Sequence, residues 1–170
     1  STFSENQLIQ FDFNNTGFIK PDSIMLRYKY AYTTAVNAEM KGTPVFTPFN
    51  RLQTTIGSSV VENISNFNQV ANMLTNLQLN TSQKYGLQST YGFQSDTDVP
   101  TNEQYDGRKL VQNETGSFSA PIPCLLSNCE KLIPAGMMPQ IRLELTTESI
   151  ANQFTTTVVP TAMTLSNVEL

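Results

Sequence analysis

The chain has no histidine, no tryptophan, two cysteines and only 14% charged residues among its 170. Without His, neither Ser–His nor Cys–His activation of a nucleophile is available, and every His-ligated metal site is excluded. The lack of Trp weakens any proposal of sugar stacking. Two Cys cannot make a disulfide scaffold. No run of 18 apolar residues is long enough for a transmembrane helix, and the start shows no signal-peptide pattern. A formal charge of −4 leaves no basic footprint for nucleic acid, so direct nucleic-acid binding is not expected.

Neutral polar side chains stand where charge is missing. Asn, Gln, Ser and Thr together are more than twice as numerous as the charged residues, so the surface must be polar without being strongly charged. Apolar residues make up 39%. A chain of this length buries roughly 70% of its unfolded surface, which is room for one domain with a real core. Composition therefore favours a structural or binding protein.

The chain reads as short strands divided by turn residues, with one helix. Ile9, Phe11 and Phe13 alternate with Leu8, Gln10 and Asp12, a first strand that ends at Asn14-Asn15-Thr16-Gly17. Ile24 to Thr34 is the strongest strand, with Ile24, Leu26, Tyr28, Tyr30 and Tyr32 on one face. Pro44 and Pro48 bracket an extended segment that cannot be a central strand. Leu52 to Ile56 is stopped by Gly57-Ser58-Ser59 and resumed by Val60-Val61-Glu62. Ile64, Phe67, Val70, Ala71, Leu74 and Leu77 then recur at spacings of three and four, predicting an amphipathic helix over about 64–78 capped by Asn63 or Ser65.

Residues 80–116 are polar, with no sustained period, and predict a long surface loop with a short hairpin around Tyr85 to Phe93. Strands resume at Ser117–Leu126, Leu132-Ile133, Ile141–Leu145, Thr155–Val159 and Met163–Leu170, the last with a bulge near Asn167. Seven to nine strands and one helix place the chain in the mainly β class. The expected fold is an antiparallel β-sandwich of jelly-roll type, a single domain over 1–170. Ending on a strand pattern at Leu170 is what one piece of a larger protein would show, whereas Ser1 is compatible with removal of an initiator Met.

Candidate chemistry is sparse. Asp96 and Asp98 offer two carboxylates to a hard cation but lack the further oxygens and the Gly of a Ca²⁺ loop. Asp106-Gly107-Arg108-Lys109 reads as a solvated turn. Glu144 and Glu148 have nothing that fixes them for acid–base work. Cys124 and Cys129 flank a Ser127-Asn128 turn, where they either pair across a tight hairpin or sit as two reduced core residues; the second reading is favoured. Four N-x-S/T triplets, at Asn14, Asn63, Asn80 and Asn113, carry little weight without a secretion signal. The Tyr28, Tyr30, Tyr32 stripe is read as core packing, with sugar or partner stacking as the rival use. Phe46 and Phe49, each beside a Pro, are a candidate exposed anchor for a neighbouring subunit. No catalytic, cofactor-binding or metal residue is assigned, so no enzyme and no cofactor are expected.

Three stretches resemble the N-terminal jelly roll of the double jelly-roll major capsid proteins of virophages and Polinton-like viruses. They are FDFNNTGFIKPDSIMLRYKY, FNRLQTTIGSSVVENISNFNQVANMLTNL, and IPAGMMPQIRLELTTES together with TAMTLSNVEL. The resemblance implies a structural capsid protein that assembles with other copies and further capsid proteins into a trimeric capsomer of an icosahedral shell. A full double jelly roll needs roughly three times this length, so the chain is either a first half or a single jelly-roll penton or minor capsid protein, in which case a pentamer is expected. The implied location is the virion, with synthesis in the host cytoplasm. A carbohydrate-binding lectin or adhesin module, using Tyr or Phe stacking, is the rival from another class.

Overall fold

The computed structural model describes residues 1–13, 17–34, 38–92, 109–110, 115–155 and 159–170. Its strands are β1 (Thr2–Phe3), β2 (Leu8–Phe13), β3 (Met25–Thr33), β4 (Ala38–Glu39), β5 (Phe49–Ile56), β6 (Ser59–Ser65), β7 (Lys109–Leu110), β8 (Thr115–Pro121), β9 (Ile141–Thr147) and β10 (Ala162–Glu169). Eight of them form two four-stranded antiparallel sheets, ordered β1-β10-β3-β8 and β2-β9-β5-β6. The short β4 and β7 pair with each other.

The pairing is nested. β1 pairs with β10, β2 with β9, β3 with β8 and β5 with β6, so the chain is one long hairpin of four strand pairs. That hairpin is then rolled up, which brings β10 onto β3 and β9 onto β5. Two sheets with this order are a jelly roll. The roll closes because alternate residues of both sheets are apolar. In β3 the burial alternates along the strand, and in β9 Ile141, Leu143 and Leu145 face inward. The predicted sandwich is therefore the observed one.

Aromatic rings fill the space between the sheets. Tyr28 meets Phe49 edge-on at 5.4 Å and Phe118 at 5.9 Å, while Tyr30 stacks on Phe118 at 4.8 Å. Tyr32 meets Phe154 at 5.4 Å. The buried hydroxyls are satisfied: Tyr28 Oη donates to the Val45 carbonyl at 2.8 Å and Tyr32 Oη to Gln153 Oε1 at 2.7 Å. The turn from β5 to β6 runs through Gly57, whose φ of +61° is a left-handed conformation that a Cβ would oppose. The expected bulge near Asn167 is present: the β10–β3 register shifts between Ser166 and Glu169, and Asn167 sits at φ +50°.

Several sequence expectations change. The helix α1 spans Phe67–Gln78 rather than 64–78. Ile64 pairs with Leu52, so it prolongs β6, and Asn63 and Ser65 lie in that strand instead of capping. Asn66, at φ +54°, turns the chain into the helix without a side-chain cap, a conformation that Asn tolerates better than most residues. The buried row of α1 is Phe67, Ala71 and Thr75, which leaves Leu77 exposed. Thr75 bears burial because its hydroxyl donates to the Ala71 carbonyl at 2.7 Å.

The start of the expected 80–116 loop is helical. α2 (Thr81–Gly86) and α3 (Gln88–Tyr91) replace the hairpin expected around Tyr85 to Phe93. Asn80 and Gln83 cap α2 reciprocally, each side chain accepting from the other's backbone N–H at 2.9 Å. Residues 93–108 and 111–114 lie outside the described residues, and β8 begins at Thr115. Pro44–Pro48 is a run of turns, not extended backbone, with Phe46 N donating to the Thr43 carbonyl at 3.0 Å. Ser117–Leu126 ends as a strand at Pro121, and Leu132-Ile133 shrinks to one bridge between Ile133 and Ile19. β1 and the short helix α4 (Ile150–Gln153) have no counterpart in the sequence pattern. Most of the Thr155–Val159 strand falls on residues 156–158, outside the described residues.

Candidate assembly surface

The candidate chemical groups do not converge. Asp96 and Asp98, Asp106 to Arg108, and the triplets at Asn14 and Asn113 lie outside the described residues. Glu144 is half-buried on β9, whereas Glu148 is buried beyond the end of that strand. Glu148 serves as a brace. Its Oε1 accepts from Ser149 N at 3.0 Å and Asn152 Nδ2 at 3.1 Å, and its Oε2 from Asn68 Nδ2 at 3.4 Å. A carboxylate supplied with donors in this way ties β9, α4 and the first turn of α1 together. It lines a polar cleft of about 320 Å³ with Lys41, Asn66, Asn68, Asn72 and Asn152. Such a lining offers hydrogen bonds but no nucleophile paired with a base. No three His, Cys, Asp or Glu among the described residues gather to hold a metal.

The tyrosine stripe is core, as read from the alternation: Tyr28, Tyr30 and Tyr32 are 0, 7 and 2% exposed. Burial removes the ionised phenolate from water, so the hydroxyls of Tyr28 and Tyr32 titrate well above the ordinary tyrosine range. Phe46 and Phe49 are buried too, which overturns their reading as an exposed anchor. Phe46 packs edge-on against Phe67 of α1 at 5.9 Å, so the prolines beside it shape a turn that docks the helix. Cys124 is buried and Cys129 exposed, and both are free thiols. They are therefore neither paired nor both core. Ser127, with its hydroxyl donating to the Ile122 and Cys124 carbonyls at 2.6 and 2.9 Å, holds the turn between them.

The outer face of the β2-β9-β5-β6 sheet mixes neutral polar and charged side chains. Arg142 Nε donates to Asp12 Oδ1 at 2.7 Å and Gln10 Nε2 to Asp12 Oδ2 at 2.8 Å. The Arg142 bond, then the Gln10 bond, lowers the Asp12 carboxyl below its ordinary range. Arg51 bonds Asn63 Oδ1 at 2.8 Å and also Gln53. Two arginines thus bridge neighbouring strands, Arg142 to Asp12 and Arg51 to Asn63, and Gln10 and Gln53 add bonds along their own strands.

Exposed apolar residues include Leu8 on β2 and Val60 and Val61 on β6, and a further three lie on the connections at one end. Phe18 is 67% exposed, Leu132 58% and Met137 87%. They sit on the β2–β3 and β8–β9 connections, which are zipped together by the Ile19–Ile133 bridge and by Gly136 N donating to the Gly17 carbonyl at 3.1 Å. The buried Ile19 and Ile133 take the inner side of that ladder, so Phe18 and Leu132, each one residue away, face outward. Sequence reading missed this cluster, although Phe18 beside Gly17, and the run Ile133-Pro134-Ala135-Gly136-Met137-Met138, placed large apolar residues next to turn residues. Burial cannot be read from such runs, because loop residues have no period.

Nested pairing and two sheets in this order define a jelly-roll β-sandwich. No family model matches the sequence, and no curated protein matches it. Solved structures do match its fold. The capsid protein in a quasi-atomic model of the PBCV-1 virus capsid superposes with a TM-score of 0.54 at 9% identity, over 97% of this chain and 40% of that one. PBCV-1 VP54, fitted into a reconstruction of the virophage Sputnik, gives 0.52 at 9% identity with the same coverage. The Sputnik virophage structure gives 0.50 at 13% identity, over 97% of this chain and 46% of that chain. The chain thus spans less than half the length of the capsid proteins it matches. At these identities the likeness is one of fold. No helix among the described residues is long and apolar enough to cross a membrane.

Proposed function

We propose that this chain is a jelly-roll module of a viral capsid, associating with other copies and further capsid proteins into the capsomers of an icosahedral shell. One observation carries the reading: the eight-strand roll, with 97% of the chain, superposes on the capsid proteins of PBCV-1 and Sputnik. Coverage of 40% and 46% of those chains supports residues 1–170 as a single jelly roll, and we take it as the first half of a double one. The hydrogen-bonding exterior suits wide subunit contacts, whose area is largely polar outside the core of the patch. The product is a structural protein of the virion, made in the host cytoplasm, with no catalysis and no cofactor. Its acidic balance leaves the genome to a basic partner.

The lectin reading loses its tyrosine platform, because the three strand tyrosines are inside the sandwich. Native mass spectrometry of the purified chain tests the proposal. Discrete trimers support the capsomer, pentamers the penton form, and a monomer that binds a monosaccharide saturably overturns both.

A further inference from the structure

Four strands form the margins of the two sheets: β1, β8, β2 and β6. A margin strand carries backbone N–H and C=O groups with which a strand of another chain can pair. β1 is only two residues long, α3 packs against β8, and β2 sets Gln10 and Asp12 outward, with Asp12 held by Arg142. β6 differs from all three. It runs for seven residues, Ser59–Ser65, with Val60 and Val61 55% and 43% exposed. Its sequence, Ser-Val-Val-Glu-Asn-Ile-Ser, holds three β-branched residues, no Pro and no Gly. Short uncharged segments of that composition pair readily with strands of other chains. Glu62 is the single charge in it.

Two features keep β6 from being an open template. The first is its register: Glu62 lies opposite Thr54 but Val60 opposite Thr55, so Val61 is an extra residue and the strand bulges. A bulge bends the strand and interrupts its ladder. The second is the direction of Glu62. Residues directly opposite one another share a face, and Thr54 is fully buried, so the carboxylate stands on the inner side of the sheet at its margin. There Thr54 Oγ1 donates to Oε2 at 2.9 Å, and Leu125 N donates to both carboxylate oxygens at 3.0 Å. Leu125 belongs to the connection that follows β8, so this one side chain ties the margin of one sheet to the end of the other. No Lys or Arg among the described residues pairs with it, and it stays half-buried, still in touch with water. A strand laid along β6 would remove that water and leave a charge buried without a cation, which is costly. We infer that Glu62, turned inward on the bulged strand β6, guards this margin of the sandwich against pairing with a strand of another chain. Contacts between copies in any assembly then lie away from β6. The guard acts on each chain by itself, so it stands or falls separately from the capsid reading.

Incubation of the full chain well below its melting temperature tests this, with intermolecular β-structure followed by infrared spectroscopy and thioflavin T. Glu62→Gln keeps an acceptor for Leu125 N and the Thr54 hydroxyl but removes the charge. Glu62→Val removes both. Each should speed the appearance of intermolecular strands by roughly tenfold or more, since burying one uncompensated charge is worth at least that factor. Glu130→Gln makes the same change in net charge on an exposed loop residue and should behave as wild type. Val60→Lys added to Glu62→Val returns a charge to the strand and should restore wild-type behaviour. Hydrogen exchange separates strand pairing from unfolding: in the associated Glu62→Gln chain, protection should rise over residues 59–65 while β3 and β9 stay as protected as before. Variants at Glu62 that form intermolecular strands no faster than wild type overturn the inference. So does an equal effect of Glu130→Gln, which would make net charge the cause. Failure of Val60→Lys to rescue, or association accompanied by loss of protection in β3 and β9, overturns it as well, because the carboxylate would then hold the fold rather than guard its margin.

Discussion

Gly116 on β8 lies opposite Tyr30 on β3, and the tyrosine ring is laid across it. A Cβ at this position would overlap Tyr30 Oη and come within 2.6 Å of Cζ and 2.8 Å of Cε1. The ring has little room to yield: Phe118 stacks on it at 4.8 Å and Tyr32 packs beside it at 5.8 Å. Gly116→Ala therefore sets two effects against each other. Replacing a strand glycine with alanine gains about 0.5–1 kcal/mol through reduced chain entropy. Overpacking a close-packed core costs about 1–3 kcal/mol. With the overlap on a held ring, the cost wins, by about 1–2 kcal/mol net. For a domain of this size that lowers the melting temperature by roughly 2–8 °C. Differential scanning calorimetry measures it directly. Tyr30→Phe removes the atom that overlaps most, so the double variant should recover part of the loss, with a coupling of about 0.5–1 kcal/mol. A Gly116→Ala chain as stable as wild type would refute the reasoning. So would strict additivity with Tyr30→Phe, because the strain would then lie elsewhere.

Further outcomes follow from the same core. Gln153 is fully buried between Tyr32, whose hydroxyl it accepts at 2.7 Å, and the Glu148 carbonyl, to which its Nε2 donates at 2.9 Å. Gln153→Ala strands both partners and should cost about 2–4 kcal/mol in a urea titration, whereas Tyr32→Phe with Gln153→Leu should cost less than the sum of the single changes. Tyr28 and Tyr32 titrate higher folded than unfolded, because burial disfavours the phenolate. Their stabilising effect is thus complete below about pH 10 and lost above it, by about 1.4 kcal/mol per pH unit for each tyrosine, as denaturation midpoints on either side of that pH would show. Asp12 titrates lower when folded, so its contribution is present at neutral pH and fades on acidification, and Arg142→Gln should remove most of that pH dependence in acid titrations of stability. Neither cysteine is bridged, so reductant should leave the melting temperature unchanged.

The legible parts of the sequence are those with a period. Alternation in residues 24–34 and 141–145 places one central strand of each sheet and its buried face correctly, since a two-residue period has only two ways to face a core. The left-handed Asn167 bulge is also visible, as a shift in apolar spacing. Errors arise where local signals compete with tertiary pairing. Ile64 fits the helical stripe at the right spacing, yet strand pairing with Leu52 claims it. Phe46 and Phe49 resemble a proline-flanked loop anchor, but the turn that holds Phe46 folds inward beneath α1 and Phe49 opens β5 against Tyr28. Asn80-Thr81-Ser82-Gln83 holds a capping-box pattern that marks the start of α2, and the polar residues around it hide that signal. The exposed Phe18, Leu132 and Met137 lie on two connections far apart in the chain and joined by the Ile19–Ile133 bridge, which no local pattern can express.

Electron microscopy of the purified chain at high concentration bears most directly on the capsid reading. Class averages are expected to show jelly rolls arranged around a three-fold or five-fold axis. A field of single, unassociated sandwiches at every concentration, with or without a second jelly-roll partner supplied in solution, would contradict it.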